Sequence, residues 1–204
     1  MISNFITFNL TKTIYIRIHN LICYILINLT MKLKKWGNMA EFNEEKFKNL
    51  LHFIISECGH KSNVGKTVLF KLLYFSDFDF YEIYEEKMTG ESYRKIENGP
   101  APTHFDDAKD ELIIEGLIEE NESTGPYVPI KYTPLETPDM SSFTEKEIKV
   151  IRDVIRRYSD MRAGKISRHS HKDVPYIVTK CKDIIDYEFV FYRDEDFSVR
   201  DYDA

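Results

Sequence analysis

The densest run of apolar positions in the chain lies between Val68 and Ile83. Its apolar members are Val68, Leu69, Phe70, Leu72, Leu73, Tyr74, Phe75, Phe78, Phe80, Tyr81 and Ile83. At 3.6 residues per turn these positions cover most of the circumference of a helix instead of one stripe. Because such a helix must be covered by neighbours on several sides, the pattern predicts a central buried helix that begins near residues 63–66.

A polar segment with strong turn signals follows the predicted central helix. Thr89-Gly90 and Asn98-Gly99-Pro100 are turn sequences, and Pro100 and Pro102 exclude a helix between them. The segment also carries aromatic side chains. We therefore predict a constrained loop here, and it is the first candidate for a functional surface.

An amphipathic helix is predicted before the central one. Asn43 can cap its N-terminus, and Phe42 and Phe47 are spaced to pack across the cap. Apolar residues follow at helical spacing, and Gly59 ends the run.

A second amphipathic helix is predicted near the C-terminal third of the chain. Thr144 and Glu147 form a capping box ahead of apolar residues at helical spacing. Gly164 and Pro175 then bracket a shorter helix. Tyr187–Tyr192 has the composition of a strand, and the charged tail from Arg193 is expected to fray.

Between these elements the pattern predicts a helix followed by a hairpin. Thr103 and Asp106 form a weak capping box, and Gly116 ends the helix. The expected inner face of this helix consists of Phe105, Ala108, Leu112 and Ile113. A hairpin is indicated by the turn at Gly125-Pro126, which is flanked by Leu117–Glu120 and Tyr127–Tyr132. Pro129 restricts the second arm of this hairpin to a sheet edge. The predicted strand Tyr187–Tyr192 could add to the same sheet.

The predicted fold class is mainly α, of the α+β kind. It is a single helical domain around a central buried helix, with one small antiparallel β-hairpin, and it is winged-helix-like in part.

Residues 1–38 differ in composition from the rest of the chain. They carry five basic residues and no acid, and Met39-Ala40-Glu41 has the character of a natural chain start. Asn20–Leu29 is apolar but shorter than a membrane-spanning helix requires, so a membrane anchor remains only an alternative. We predict that residues 1–38 are a non-native or disordered extension, and that residues 39–204 form the functional domain.

Charge and cysteine content restrict the functional class. The net charge is -6, and removing the five bases of residues 1–38 leaves 23 basic and 34 acidic residues, or -11. A body this acidic is poorly suited to binding a polyphosphate. Cys23, Cys58 and Cys181 are widely separated and predict no disulfide framework, so we expect a cytoplasmic protein whose cysteines are small buried apolar residues.

Two motifs suggest ligand binding but do not satisfy its requirements. Gly65-Lys66-Thr67 resembles the end of a phosphate-binding loop, but the required upstream glycine would stand at His60 and a helix precedes it. His169 and His171 are spaced i, i+2, which does not place both rings on one helical face, so we expect capping or hydrogen-bonding roles rather than a metal site.

No catalytic constellation is predicted. The acid pairs Asp77/Asp79 and Asp106/Asp107/Asp110 lack a second fixed carboxylate cluster and are interpreted as solvated or capping acids. No serine stands in a nucleophile elbow. We expect no catalytic residues, no metal and no cofactor.

Charge also opposes DNA binding by the winged-helix-like part, Thr103–Tyr132. Residues 103–122 carry eight acids against Lys109 alone, and phosphates would repel them. A basic surface is expected only in Lys146–Lys172, where it could complement the acidic helix or bind an acidic partner. Its members are Lys146, Lys149, Arg152, Arg156, Arg157, Arg162, Lys165, Arg168 and Lys172.

Several short motifs, in order, resemble one known family. They are Lys71-Leu72-Leu73-Tyr74-Phe75-Ser76-Asp77, Thr89-Gly90, Tyr93, Gly99-Pro100 and Ser170-His171, with Tyr176 where a Trp is commoner. Together they resemble the Panacea domain, the SocA-like antitoxin domain of bacterial and phage toxin–antitoxin operons, over about residues 43–192. The resemblance implies a mainly helical antitoxin that neutralises a protein toxin encoded beside it.

The resemblance also supplies candidate site residues. They are Lys71, Tyr74, Asp77, Thr89, Gly90, Tyr93, Gly99, Pro100 and His171. We expect them to shape a docking surface for the toxin, with Tyr93 as a contact residue; alternatively, Tyr74 and Asp77 tie the central helix to the loop by hydrogen bonds. The alternative functions are a DNA-binding autorepressor acting on its operator and, less favoured, a small enzyme.

Overall fold

The structure, a computed structural model, describes residues 42–121 and 130–200. Within these ranges the fold is mainly α with two small antiparallel sheets, which confirms the predicted fold class. The helices are α1 (Glu44–Cys58), α2 (Lys66–Tyr84), α3 (Phe105–Ile114), α4 (Glu145–Tyr158), α5 (Ala163–Ser170), α6 (Val174–Val178) and a 3₁₀ helix (Tyr187–Tyr192). The strands are β1 (Tyr93–Ile96), β2 (Gly99–Pro102), β3 (Ile118–Asn121) and β4 (Lys131–Pro134).

Helix α2 is the buried centre of the fold, as its apolar pattern predicts. It packs against α1, α4, α5, β2 and the 3₁₀ helix. Its apolar side chains on nearly every face belong to one hydrophobic cluster. Burial of so many side chains provides the main driving force for folding around this helix.

The predicted helix caps at α1 and α4 are confirmed. The Asn43 side chain accepts a hydrogen bond from the Lys46 amide, and the rings of Phe42 and Phe47 lie 5.9 Å apart. At α4, the side chains of Thr144 and Glu147 form the reciprocal capping box. Each cap satisfies amides that the first helical turn leaves without partners.

The cap of α3 differs from the prediction. The helix begins at Phe105, and the amides of Thr103 and His104 donate to the carboxylate of Glu91 rather than to Asp106. The prediction of a capping box was therefore wrong, because the buried carboxylate of Glu91 accepts these hydrogen bonds in place of Asp106. The inner face was predicted correctly at its buried positions, Phe105, Ala108 and Leu112, whereas Ile113 is half-buried.

The segment that was expected to be a loop contains a β-hairpin. Strand β1 pairs with β2, with Tyr93 opposite Pro102 and Lys95 opposite Pro100. The amide of Thr103 donates to the carbonyl of Ser92, so Thr103 and Ser92 form a hydrogen-bonded pair. Hydrogen-bonded and non-hydrogen-bonded pairs alternate along an antiparallel ladder, so Pro102 and Pro100 both stand at non-hydrogen-bonded positions. Because those positions need no N–H toward β1, two prolines spaced by two residues are compatible with the strand.

The second hairpin was predicted, with shifted arms. Strand β3 pairs with β4, and Ile118 lies opposite Pro134. The second arm begins at Lys131 instead of Tyr127; the turn at Gly125-Pro126, together with Pro129, lies outside the described residues. The described part of the fold thus has two hairpins where one was expected.

Of three further expectations about the C-terminal third, two were wrong and the short helix was confirmed. Tyr187–Tyr192 is a 3₁₀ helix whose first turn is capped by Asp186, and it joins no sheet. The short helix predicted between Gly164 and Pro175 is present as α5, and Pro175 stands at the start of a further short helix, α6, where a proline costs no hydrogen bond. Arg193 does not fray but is buried.

Cysteine burial was predicted correctly for Cys58 and wrongly for Cys181, which is exposed in the turn after α6. Cys23 and residues 1–38 lie outside the described residues, so the predicted division at residue 39 stays a prediction. Among the described helices, none combines the length and apolar character needed to cross a membrane.

Candidate functional site

The carboxylate of Asp77 connects α2 to the segment that follows it. It accepts hydrogen bonds from the Thr89 amide at 3.0 Å, from the Thr89 hydroxyl and from the Tyr93 hydroxyl at 2.6 Å. All three residues are at most 1% exposed. Burial raises the pKa of Asp77 to about 6, although these hydrogen bonds act in the opposite direction. The interpretation of Asp77 as a solvated or capping acid was thus wrong. We call Asp77, Thr89 and Tyr93 the Asp77 network.

Gly90 directly follows the Asp77 network and turns the chain toward β1. Its φ of 74° lies in the left-handed region, which glycine enters at little cost. The Thr-Gly pair therefore combines a side chain that binds Asp77 with a backbone that reverses direction.

Lys71 occupies an unusual position on α2, nearly two turns before Asp77. Its side chain is fully buried, and Nζ donates to the carbonyl of Pro100 at 2.9 Å. Burial lowers the pKa of Lys71 to about 7, because a charged ammonium is poorly solvated there. Lys71 thus joins α2 to the Gly99-Pro100 turn.

Gly99 allows that turn to approach α2 and α5 closely. Its φ is 100°, and a Cβ at this position would lie 2.5 Å from Oγ of Ser170 and 2.7 Å from Cε of Lys71. The neighbouring Asn98 carbonyl accepts a 2.5 Å hydrogen bond from the hydroxyl of Ser167. A larger residue at position 99 would push the hairpin away from both helices.

Tyr74 belongs to a second buried network, centred on Arg193. The hydroxyl of Tyr74 donates to Asp173 at 2.9 Å, and Arg193 donates to Asp173 at 2.7 Å and 2.9 Å. The same guanidinium reaches Asp79 and Glu82 on α2, both at 2.8 Å. We call these five residues the Arg193 network.

The charges of the Arg193 network are mutually compensating. Burial alone would lower the pKa of Arg193, but the carboxylates of Asp173 and Asp79 raise it well above its ordinary value. Asp79 also forms an ion pair with Arg157 of α4. The prediction that Asp79 is solvated or a cap was wrong, because a buried carboxylate persists only with such partners.

His171 stands at the end of α5, where its amide donates to the carbonyl of Ser167. Its ring stacks on Tyr176 with centroids 4.8 Å apart, and it interacts with the backbone of Glu97. Burial and the nearby Lys71 lower its pKa. Nε2 of His171 and of His169 has no hydrogen-bond partner among the described residues, and in the same ranges no group of His, Cys, Asp and Glu could hold a metal ion.

The candidate site residues thus lie in one connected buried interior around α2. The segment of the chain that carries them matches a known family. The model of the family "Antitoxin SocA-like, Panacea domain" matches residues 69–175, which is just over half of the 204-residue chain. This chain belongs to the SocA-like antitoxin family. No curated protein and no solved structure matched the chain.

All nine candidate site residues lie within the matched Panacea segment, and the structure brings them together. Eight of them are buried and His171 is half-buried. Asp77 therefore ties the central helix to the following segment, as the alternative prediction stated, and Tyr74 ties the helix to the start of α6. In this structure Tyr93 presents no surface to a partner, because it is fully buried.

The sequence analysis did not predict that Glu82, Asp173 and Arg193 lie in the buried interior around α2. Asp79 and Glu82 stand one turn apart in a helix whose apolar circumference predicts burial, and this was a usable signal. Two carboxylates on a buried helix require a buried cation. No local pattern pointed to Arg193, which lies 111 residues beyond Glu82.

The charged surfaces of the Panacea domain also differ from expectation. The acidic helix α3 is approached by lysines of α1 and α2, because Lys48 pairs with Glu111 and Glu115 and Lys66 pairs with Asp106. In the ranges that the structure describes, no ion pair joins the basic segment Lys146–Lys172 to α3, and Arg157 of this segment pairs with Asp79 instead. Lys66 is therefore occupied by Asp106, which removes it further from a phosphate-binding role.

Proposed function

We propose that this protein is a cytoplasmic antitoxin without enzymatic activity, and that it neutralises a protein toxin encoded next to it by direct binding. Membership of the SocA-like antitoxin family supports a role in a toxin–antitoxin pair and a protein partner. The observation that carries the proposal is that the polar motif residues are used inside the fold. Their hydrogen bonds are made to one another, so they support a binding surface and do not offer reactive groups.

The buried networks suit a protein that binds without changing shape. The Asp77 network fixes the hairpin β1–β2 to α2, and the Arg193 network fixes α6 and the C-terminal segment to the same helix. A surface held in its bound conformation loses less entropy on association. Tight binding of this kind can block the toxin's active site or hold the toxin in an inactive form.

DNA binding by the helix–hairpin unit is disfavoured by the exposed surface of α3. Asp106, Asp107 and Asp110 are exposed along this helix, and the described part of it carries Lys109 as its single base. These acids would face the phosphates if α3 entered a groove. Operator binding is therefore not part of the proposed function.

Co-purification and calorimetry test the proposal. The full chain and the protein encoded by the adjacent gene are purified separately and mixed, and isothermal titration calorimetry measures the dissociation constant. We expect a stable complex with a dissociation constant on the order of nanomolar, as for other permanent inhibitors. Absence of binding by the neighbour, with a salt-dependent shift of operator DNA instead, would contradict the proposal and support autorepression.

A further inference from the structure

Two leucines lie side by side on the outer face of the hairpin β3–β4. The antiparallel ladder continues one pair beyond the two strands, because the Leu135 amide donates to the Leu117 carbonyl at 2.9 Å. Directly opposed residues project from the same face of an antiparallel pair, so the two side chains are neighbours. Leu135 is 54% exposed and Leu117 is half-buried. We call these two residues the leucine pair.

The leucine pair departs from the usual pattern of a hairpin that packs on a core. Ile118 and Tyr132 form the inner face, where they are 1% and 3% exposed. By alternation along the strands, the outer face consists of Leu117, Glu119, Asn121, Lys131, Thr133 and Leu135. Such a face is normally polar throughout, and a contiguous apolar group on it is a feature of interaction sites, whereas single exposed apolar residues are common anywhere.

The backbone around the leucine pair is fixed from two sides. The Leu117 amide donates to the Leu112 carbonyl at 2.9 Å, which joins the start of β3 to the end of α3. The buried ring of His52 on α1 donates through Nε2 to the Glu136 carbonyl at 3.1 Å, and it also interacts with the backbone of Leu117. The leucine pair therefore needs little ordering when a partner binds.

The free charges beside the leucine pair are negative. Glu119 on the same face and Glu136, directly after β4's leucine, are exposed, and in the ranges that the structure describes neither side chain forms an ion pair. The lysines of the adjoining elements are occupied. Lys48 of α1 is bound by three glutamates, Lys109 of α3 pairs with Asp110 and Glu120, and Lys131 donates to carbonyls between α1 and α2. An apolar pair bordered by free carboxylates is complementary to an apolar side chain flanked by cations.

We propose that the leucine pair, together with Glu119 and Glu136, is a docking surface for the toxin, and that it binds a toxin segment with an apolar side chain flanked by lysine or arginine. We call these four residues the hairpin surface. This inference rests on the proposed function and adds the site and the chemistry of the partner. Residues 39–204 carry 23 basic and 34 acidic residues, so the domain attracts such a basic segment before contact.

Other occupants fit the hairpin surface less well. The phosphates of a nucleic acid would be repelled by its glutamates. A second copy could offer Arg162, Lys165 and Arg168, which are exposed along α5, but α5 exposes no large apolar side chain to cover the leucine pair. Residues 1–38 combine five bases with apolar residues and match chemically. We favour the toxin over them because Met39-Ala40-Glu41 has the character of a natural chain start.

A substitution at Leu135 tests the proposal against a matched control. Leu135→Arg places a cation where the partner's cations are expected, and Ile177→Arg makes the same change at an apolar residue of α6 that is 57% exposed. Binding of the purified protein encoded by the adjacent gene to the full chain is measured by calorimetry, and circular dichroism confirms folding. We expect at least about 30-fold weaker binding for Leu135→Arg, and about twofold or less for Ile177→Arg.

The two glutamates have their own readout. Glu119→Lys with Glu136→Lys should slow association and reduce its dependence on salt, because attraction to a basic segment acts mainly on the association rate. The control is Glu86→Lys with Glu195→Lys, which changes the net charge equally at exposed glutamates elsewhere. Faster association of the first variant, or equal slowing by both, would overturn the assignment of a basic partner segment to the hairpin surface.

Carboxylate labelling identifies the occupant on the unmodified chain. A carbodiimide couples exposed carboxylates to added glycine ethyl ester, and mass spectrometry locates the labelled glutamates. A docked toxin should slow the labelling of Glu119 and Glu136 by about fivefold or more and leave Glu86 and Glu195 unchanged. Unchanged labelling of Glu119 and Glu136 in a stable complex would overturn the proposal. Without the ester the same reagent joins carboxylates to adjacent lysines, and cross-links from the hairpin surface to lysines of residues 1–38 would assign it to that segment and also overturn the proposal.

The outcomes separate this inference from the proposed function. If the neighbour binds the native chain and both arginine variants equally, the hairpin surface is not a docking surface but the antitoxin proposal stands. If the neighbour binds nothing, both fail. If the chain alone forms assemblies in sedimentation that Leu135→Arg abolishes, the hairpin surface binds a second copy and the toxin-docking inference is overturned.

Discussion

The hydroxyl of Tyr93 donates a 2.6 Å hydrogen bond to the carboxylate of Asp77, and both side chains are fully buried. This bond joins the centre of α2 to the first residue of β1. The backbone carbonyl of Tyr93 also accepts a hydrogen bond from the Ile185 amide, so the same residue binds the segment that follows α6. The interior of the fold is thereby connected to the segment that follows α6.

Replacing Tyr93 by Phe should reduce stability measurably. The change removes one of the donors to a buried carboxylate and leaves its acceptor poorly satisfied, which we expect to cost about 1–3 kcal/mol of the free energy of unfolding. Urea denaturation measures it. The control is Tyr192→Phe, since Tyr192 is 73% exposed and its change should stay within about 0.5 kcal/mol. Equal effects of the two changes would contradict the role of the Asp77 network.

Lys71 should make stability increase with pH above neutrality. Its pKa is about 7 in the folded chain and near 10.4 in an unfolded one, so between these values the unfolded state binds one proton more. Stability attributable to Lys71 therefore rises with pH across this window, by up to about 1.4 kcal/mol per pH unit.

The comparison with Lys71→Met isolates this effect. Urea denaturation of both proteins from pH 7 to pH 9 gives the difference between their free energies of unfolding at each pH. All other titrating groups are present in both proteins, so their contributions cancel in this difference. The difference should shift in favour of the native chain as pH rises. A difference that does not change with pH would show that Lys71 keeps its ordinary pKa.

Gly99→Ala should destabilise the fold more than Gly116→Ala does. Both residues have positive φ, so each substitution carries a backbone cost of about 1 kcal/mol. Only at Gly99 would the added Cβ also collide with Ser170 and Lys71; at Gly116 no atom lies within 4 Å of it. At Gly99 we therefore expect a further loss of about 1–3 kcal/mol in the free energy of unfolding, which urea denaturation measures. Equal losses would show that the hairpin can move away from α2 freely.

Arg193→Met should be among the most destabilising single changes. It leaves Asp79, Glu82 and Asp173 without their shared buried cation, which we expect to cost about 3–5 kcal/mol. The control Arg156→Met removes an exposed ion pair with Asp153 and should cost less than about 1 kcal/mol. Thermal unfolding compares the two. A mild effect at Arg193 would indicate that its partners are not held together by charge.

The elements that could be predicted from sequence are those whose signals are local. The buried character of α2 follows from its apolar circumference, and the caps at Asn43 and Thr144 follow from short-range spacing. Family motifs identified the residues around Asp77 as candidates but did not indicate that they are buried. A motif gives residue identity, whereas burial depends on which distant elements cover it.

The missed features depend on distant or alternating contacts. Arg193 meets carboxylates that lie 20, 111 and 114 residues away, and nothing beside it in the chain indicates them. The hairpin β1–β2 was missed because Pro100 and Pro102 argue against a strand unless the register is known.

Growth of cells that express the adjacent gene tests the central claim most directly. The gene is induced alone and together with the full chain, and growth is followed in both cultures. The antitoxin account predicts that the neighbour alone arrests growth, and that co-expression of this chain restores it. Growth arrest that persists with the chain present, or a neighbour that never slows growth, would contradict the account.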